Sequence, residues 1–395
     1  MLEYWIWLSQ RKNLSPRSKF AVLEHFGTPE MAFLADESEL RLTPELRERE
    51  YATLLDKDLG EAERILRDCD NKRISILTWS DAAYPNRLRN INNPPVVLYY
   101  EGSLPAVDHQ IVIGMVGTRR ASAYGLKHAK RLGYQLGRSG VIVVSGMAKG
   151  IDALSMEGAL TAGQPVIGVL GCGTDVVYPK ENAHLYEDVR RHGCLISEYP
   201  PGTPPLGEHF PIRNRIISGL SLGVLVVECS RASGALITAE HALEQGRDVF
   251  TIPGNLDVEC VGGNLKLLKD GAYLVEDCLD VTRVYAGQFP EVVTDYIPDG
   301  YRMETVAALS AADDKKSVDK KKTGNYIDLD EILKDASPNE AAILRLLSQG
   351  PAHVDDIIDK TQIPAAQILS SITLLEIRRT LKRLPGPRYS LAEKD

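Results

Sequence analysis

Ile111-Val-Ile-Gly-Met-Val116 runs directly into Gly117-Thr-Arg-Arg-Ala-Ser122, and Val141-Ile-Val-Val-Ser145 into Gly146-Met-Ala-Lys-Gly-Ile-Asp152. Each pairs a short, almost wholly apolar run with a glycine-bearing turn. A strand that is apolar on consecutive residues buries both faces, which implies a parallel sheet covered by helices on either side. The design recurs downstream. Pro165–Leu170 ends in Gly171-Cys-Gly-Thr174 and Gly223–Cys229 in Ser230-Arg-Ala-Ser-Gly234, while Cys194–Glu198 and Asp248–Ile252 are further runs of the same kind. Helical stretches separate them. Residues 111–286 therefore predict a doubly wound, Rossmann-like α/β domain with a mainly parallel sheet of about six or seven strands.

Outward from this domain the pattern changes on both sides. Residues 1–80 carry apolar residues at helical spacing over Tyr4–Leu8, Ser15–Phe26, Pro29–Leu34 and Leu59–Cys69, which predicts a small helical module. A helix-hairpin-helix motif would need a glycine-rich hairpin where Lys12-Asn-Leu-Ser-Pro16 stands, so a packing module is the favoured reading. Residues 81–110 hold Tyr84-Pro85, Leu88, Ile91 and Pro94-Pro95 before Val96-Val-Leu-Tyr-Tyr100, and read as an extended connector docked on the next domain. Residues 287–336 mix Lys315, Lys316, Lys320, Lys321 and Lys322 with Asp313, Asp314 and Asp319 and lack apolar periodicity, as a flexible linker does. Ser337-Pro-Asn-Glu340 then has the form of a helix start. Helical stretches at Ala341–Leu347, Val354–Lys360 and Ala365–Arg378, followed by a hairpin turning at Pro385-Gly-Pro387, predict a winged helix over 337–395.

Composition narrows the function. The 395 residues carry a net charge of −8, so a generally basic nucleic-acid binder is excluded and any polyanion site must be a local patch. The six cysteines form no Cys-x-x-Cys pair, and several lie in apolar runs, so reduced, buried thiols are expected. His109, His128, His184, His192, His209 and His241 are scattered without metal-ligand spacing, and no metal or cofactor is expected. No apolar run is long enough to span a bilayer. The start, Met1-Leu-Glu-Tyr-Trp-Ile-Trp-Leu8, sets an acid before a short apolar stretch, the wrong order for a secretory leader, so a cytoplasmic location is expected.

In a parallel α/β sheet, ligands bind beyond the carboxyl ends of the strands. Four such ends carry glycines here, and Arg119, Lys149 and Arg231 stand beside three of them. One such loop would be a tight turn and no more; four together favour an anion site, where backbone N–H groups and helix N-termini supply positive potential. No Gly-x-x-x-x-Gly-Lys-Ser/Thr loop supports ATP hydrolysis, and no Gly-x-Gly-x-x-Gly follows the first strand to support NAD. Phe210-Pro-Ile-Arg-Asn-Arg-Ile-Ile217 sets an aromatic ring, two arginines and an amide together, which suits phosphates and stacked bases of a single strand; the alternative for Phe210 is a core position. Asp152, Glu198, Glu228 and Glu240 are acids of the rim. For Asp152 a loop-fixing or capping role is favoured over catalysis.

Several of these segments resemble the bacterial DNA-processing protein A (DprA/Smf) family. They are Val116-Gly-Thr-Arg119 with Ser122 and Tyr124-Gly125, Ser145-Gly-Met-Ala-Lys-Gly-Ile-Asp152, Tyr178-Pro179, Ile196-Ser-Glu198 and Phe210-Pro-Ile-Arg-Asn-Arg215. Ser233-Gly234, Thr238-Ala239, Ile252-Pro-Gly254 and Gly271-Ala272 follow in order. The resemblance implies a non-enzymatic protein that binds incoming single-stranded DNA during natural transformation, forms a homodimer and helps load the recombinase RecA. It implies a DNA pocket of Gly117, Arg119, Ser145, Gly146, Lys149, Phe210, Arg213, Asn214 and Arg215; Thr118, Ser233 and Gly234 complete the candidate set. The chain departs from the family pattern at Met156, where histidine is usual, at Gly263, where serine is frequent, and at Arg379-Thr380, in place of a glycine. Two other readings compete: a nucleotide-hydrolysing Rossmann-like enzyme, whose double-glycine motif is missing from Arg231-Ala-Ser-Gly-Ala-Leu-Ile-Thr238, and a winged-helix transcription regulator, whose reading helix would be Ala365–Arg378, almost free of cations.

Overall fold

Each of the six apolar runs becomes a strand. In the computed structural model, β1 covers Ser75–Thr78, β2 Val97–Gly102, β3 Val112–Val116, β4 Ile142–Ser145 and β5 Val166–Leu170. β6 covers Cys194–Ser197, β7 Gly223–Val226, β8 Asp248–Thr251 and β9 Tyr273–Leu274. The structure describes residues 1–255, 258–290, 336–348, 352–361, 363–378, 380–384 and 388–391. The strands join in one sheet in the order β1-β2-β6-β5-β4-β3-β7-β8-β9. From β3 to β9 every pairing is parallel, whereas β2 lies antiparallel to both β6 and β1. The order reverses at β3: β4 lies on one side of it and β7 on the other, with Ile113 opposite both Val143 and Gly223. That reversal opens a crevice beyond Val116 and Val226, the place where doubly wound sheets bind ligands.

The buried residues explain the continuous apolar runs. Ile111, Ile113 and Met115 face one core together with Val141, Val143, Leu132 and Met156, while Val112 and Val116 face the other with Ile142, Val144, Ile216 and Val224. Helices cover both faces. Ala123–Arg138 and Ile151–Thr161 pack so closely that a Cβ at Gly133 would collide with the Ser155 carbonyl, and one at Gly158 with the Lys130 carbonyl. Met156, in the place of the family's usual histidine, is fully buried in the first core and acts as a packing side chain.

The chain divides into two compact units, Met1–Tyr301 and Arg302–Asp395. Within the first, the helices Leu2–Ser9, Pro16–Phe26, Pro29–Leu34, Glu37–Leu40, Glu48–Leu55 and Gly60–Lys72 surround Ile6, Trp7, Val22, Leu54 and Ile65. Val96, Val97 and Tyr99 share that core, so the helical module is sealed onto the sheet through β2. The connector thus contributes a strand, and Tyr84, buried, donates its hydroxyl to the Pro95 carbonyl at 2.8 Å. β1 was not expected; Ser75-Ile-Leu-Thr78 is too short and too polar at its ends to stand out as a run. In the second unit, Pro338–Leu347 begins with a Ser337–Glu340 capping box. With Val354–Thr361, Ala365–Ile377 and strands Ala352–His353, Leu381–Leu384 and Arg388–Leu391 it builds a winged helix around Ile343, Leu344, Ile357, Ile368 and Leu375. The expected turn at Pro385-Gly-Pro387 and residues 291–335 of the linker expected over 287–336 lie outside the described residues. Cys69, Cys172, Cys194, Cys229 and Cys278 are buried free thiols, and Cys260 is half-buried. Among the described residues, no helix is long and apolar enough to cross a membrane.

Candidate nucleic-acid interface

The crevice at the strand reversal is an open cleft of about 580 Å³. Its walls are Gly117, Thr118, Arg119 and Arg120 after β3, Ala148 and Asp152 after β4, Tyr178, and Ser233, Gly234, Ala235, Ile237 and Thr238 after β7; the start of helix His209–Leu220 forms the remaining side. The loops are held by their own polar groups. Glu228, buried after β7, accepts from the Ser122 amide at 2.7 Å and the Ser122 hydroxyl at 2.6 Å, and its carbonyl takes the Thr118 amide at 2.7 Å. Asp152 accepts from the amides of Gly146 at 3.1 Å and Ala148 at 3.4 Å. Burial pushes the Asp152 carboxyl above the usual aspartate range, against the pull of Arg213. Both acids are therefore loop-fixing groups, which is the role expected for Asp152.

The glycines are demanded by contact. A Cβ on Gly117 would come within 2.5 Å of Ile151, and one on Gly146 would meet the Arg213 guanidinium at 2.6 Å and the Asp152 carboxylate at 2.8 Å. Gly150 has φ +82°, with the carbonyl of Thr118 where a Cβ would sit, at 2.7 Å. The β3 and β4 loops therefore touch backbone to backbone. Helix Gly234–Glu244, N-capped by Ser233, also begins at the cleft, as do the first turns of Ile151–Thr161 and His209–Leu220. Three helix N-termini converge on one hollow, and the positive ends of helix dipoles favour anions.

The aromatic and cationic groups sit on this frame. Phe210 is half-buried and belongs to neither core; it is a wall of the cleft. The Arg119 guanidinium lies 5.4 Å from its ring centroid, that of Arg213 5.9 Å, and the Tyr178 ring 5.5 Å at 34°. Arg119 itself is exposed. Asn214 ties helix His209–Leu220 to the start of helix Gly234–Glu244 by donating to the Gly234 carbonyl at 3.4 Å.

The sequence-derived set does not assemble as one surface. Gly117, Thr118, Arg119, Phe210, Arg213, Asn214, Ser233 and Gly234 line the cleft, and Gly146 lies beneath it against Arg213 and Asp152. Ser145 is fully buried, its hydroxyl donating to the Met115 carbonyl at 2.6 Å. Arg213 is 4% exposed and donates to the Gly146 carbonyl at 3.0 Å and to the Val169 carbonyl; burial lowers its pKa and Asp152 opposes that shift. It presents charge to the cleft from below while tying two strand ends together. Arg215 does not reach the cleft: its Nη2 donates to both carboxylate oxygens of Glu198, at 2.8 and 2.9 Å. Lys149 is outside the cleft wall and pairs with Glu181 at 2.5 Å. Arg231 lies against Gly262. Arg120 and Tyr178 are polar or aromatic wall residues outside the sequence-derived set. Arg120 is next to an expected contact, and Tyr178 was noted only as half of Tyr178-Pro179, whose peptide bond is cis.

The comparisons agree with this geometry. Residues 75–286 match the family model for DNA recombination-mediator protein A, and residues 330–387 match the DprA winged helix domain. Protein Smf of Synechocystis sp. is 33% identical over 402 aligned residues, which cover 98% of each chain. The crystal structure of DNA processing protein A from Streptococcus pneumoniae superposes with a TM-score of 0.64 at 33% identity, over 72% of this chain and 98% of that one. DNA processing protein A from Helicobacter pylori, a structure concerned with its single-stranded DNA binding mode, gives a TM-score of 0.50 at 27% identity, over 55% of this chain and 97% of that one. A Rossmann-like sheet with its cleft at the strand reversal, a winged helix after it, and these likenesses along the chain lead to one conclusion: the protein belongs to the DNA recombination-mediator protein A family, also called DprA or Smf.

Proposed function

We propose that this protein binds single-stranded DNA in the cleft beyond β3 and β7, and that it does so without catalysing a reaction on it. The observation that carries the reading is the cluster of Arg119, Phe210 and Tyr178 above three helix N-termini. Helix ends and guanidinium groups suit phosphates, while the two rings and the planar Arg119 suit stacked bases. Duplex bases are stacked on each other and offer no face to Phe210. The acids of the cleft support the non-catalytic reading, since Glu228 and Asp152 spend their oxygens on backbone amides and Ser122. In this reading the protein works in the cytoplasm as a homodimer, protects DNA entering the cell in natural transformation and helps load the recombinase RecA onto it. Relatives of the same family named for DNA processing, and the single-stranded DNA binding described for the Helicobacter pylori protein, support that assignment.

Fluorescence anisotropy with single- and double-stranded oligonucleotides over a salt series tests it. Single strands should bind more tightly at every salt concentration, with a log–log slope near −0.7 for each phosphate contacted. Duplex binding equal to or tighter than single-strand binding would overturn the cleft assignment. Release of free base from a nucleotide would restore the enzyme reading.

A further inference from the structure

Between Arg119 and Arg138 the chain carries five Lys or Arg beyond Arg119 itself and no Asp or Glu, in a molecule whose net charge is −8. Most of that stretch is helix Ala123–Arg138, which leaves the rim of the cleft and crosses one face of the domain. Its inner side is fixed by Ala129, Leu132, Gly133 and Leu136, all buried. Its outer side follows a different rule. Arg120, Tyr124, Lys127, Arg131, Tyr134 and Arg138 succeed one another at steps of four and three, so they share one face of the helix and its lead-in. Four cations and two rings share it. Tyr124 is 44% exposed and Tyr134 36%, so both rings offer a face to a ligand.

The row is held in place. Tyr124 donates its hydroxyl to the Pro253 carbonyl at 2.9 Å and its ring lies 4.1 Å from that of His128. Arg131 donates to the Glu276 carbonyl at 2.6 Å. Beside Tyr134 is a shallow hollow of about 360 Å³, with Leu126, Leu154 and Gly158 among its walls and Lys127, Lys130 and Arg131 around them. An apolar floor edged by cations matches a nucleobase with its phosphates. It does not match an apolar peptide, which would leave the cations unpaired. Glu157, beside the hollow, already faces Lys130 at 3.8 Å and His184 at 3.4 Å. At its upper end the row is continuous with the cleft, because Arg120 belongs to both.

We infer that single-stranded DNA leaving the cleft continues along the outer face of helix Ala123–Arg138, with phosphates on Lys127 and Arg131 and a base on Tyr134. The helix has 16 residues and so offers a track of about 24 Å. The inference rests on the cleft reading above and extends it: the cleft grips one part of the strand, and the helix accepts the next nucleotides without regard to sequence, as stacking platforms do.

The test uses the full chain and oligo(dT) of two lengths, about 5 nucleotides to fill the cleft and about 20 to reach the helix. Tyr134→Ala should bind the long oligonucleotide roughly 5- to 150-fold more weakly and the short one as the wild type does. Tyr134→Phe, which keeps the ring, should bind both normally. Lys127→Glu should weaken the long complex and flatten its salt dependence by about 0.7 for each phosphate that is no longer neutralised. Arg119→Ala, in the cleft, should weaken both lengths. Unchanged long-oligonucleotide binding in Tyr134→Ala and Lys127→Glu overturns the helix track. So does an equal loss on both lengths, which would mean that these variants distort the cleft. Were Arg119→Ala silent on both lengths while the helix variants weakened the long complex, the cleft reading would fall and the helix track would stand.

Discussion

Phe210 and Arg215 lie five residues apart on one helix, and their substitutions should have opposite signatures. The Phe210 ring is a wall of the cleft, in contact with Arg119 and Tyr178 and outside both cores. Phe210→Ala should cost about 1–3 kcal/mol of single-strand binding and leave the unfolding midpoint close to that of the wild type. A variant that unfolds, instead of one that folds and binds weakly, would return Phe210 to the core. Arg215 has its charge satisfied by Glu198 and only 8% of its surface exposed. Arg215→Ala should lower stability by about 2–3 kcal/mol in chemical denaturation, by leaving Glu198 half-buried without its partner, and should leave the affinity of the folded protein within about twofold. A large loss of affinity at unchanged stability would put Arg215 back among the DNA contacts. The sequence reading grouped Arg213 with Arg215 because both flank Asn214. A helix turns about 100° per residue, so two residues apart they point to nearly opposite sides, one under the cleft and one away from it. For Lys149 the sequence could not supply the partner: its loop does reach the rim, but only the folded chain brings Glu181 beside it.

At the scale of elements, the strands and their turns were the most legible part of the molecule. Runs such as Ile111–Val116 and Val141–Ser145 are apolar on nearly every residue because both faces of the sheet are covered, and that signal needs no knowledge of the partners. Ser75–Thr78 escaped notice because its place at the sheet edge is conferred by pairing with Val97–Tyr100, a contact between distant segments. Tyr178 escaped for the same kind of reason, since its loop meets Phe210 only after folding. The glycines of the loops were read as allowing phosphate approach. The structure gives several of them a prior task, which is to let the β3 and β4 loops touch. Gly150 is the clearest case, with φ +82° and ψ −120°, a conformation that side chains rarely adopt, and a carbonyl in the place of its Cβ. Gly150→Ala should therefore lower stability by about 1–3 kcal/mol in urea unfolding and weaken single-strand binding as well, because Thr118 and Arg119 must move to admit the methyl group. Normal binding with reduced stability would show that the two loops can separate without disturbing the cleft.

At the scale of the whole molecule, the question is which unit holds the strand. The chain has a net charge of −8, and the winged-helix segment 337–395 has eight Lys or Arg against seven Asp or Glu, so neither the molecule nor that segment is a strong polyanion binder by charge alone. The cationic surface is instead local to the first unit, where Arg119 and Arg120 stand at the cleft and Lys127 to Arg138 follow along one helix. The first unit is also closed as a folded body without the second. Helix Cys278–Tyr285 buries Val281 and Tyr285 in the sheet's core, and Phe289 lies under the Arg87 guanidinium at 5.5 Å. The segment between, with its five lysines from Lys315 to Lys322, has the composition of a polar tether and is where limited trypsin digestion should cut first. The fragment that survives, ending shortly after Phe289, should keep the midpoint of the intact protein and most of its single-strand affinity, with nearly the same salt slope, because the phosphate contacts go with it. The released winged helix should bind weakly, with a shallow salt slope because it neutralises few phosphates. The opposite partition, a core that no longer binds and a winged helix that binds tightly, would move the DNA site to the second unit and leave the cleft of the first without its proposed ligand.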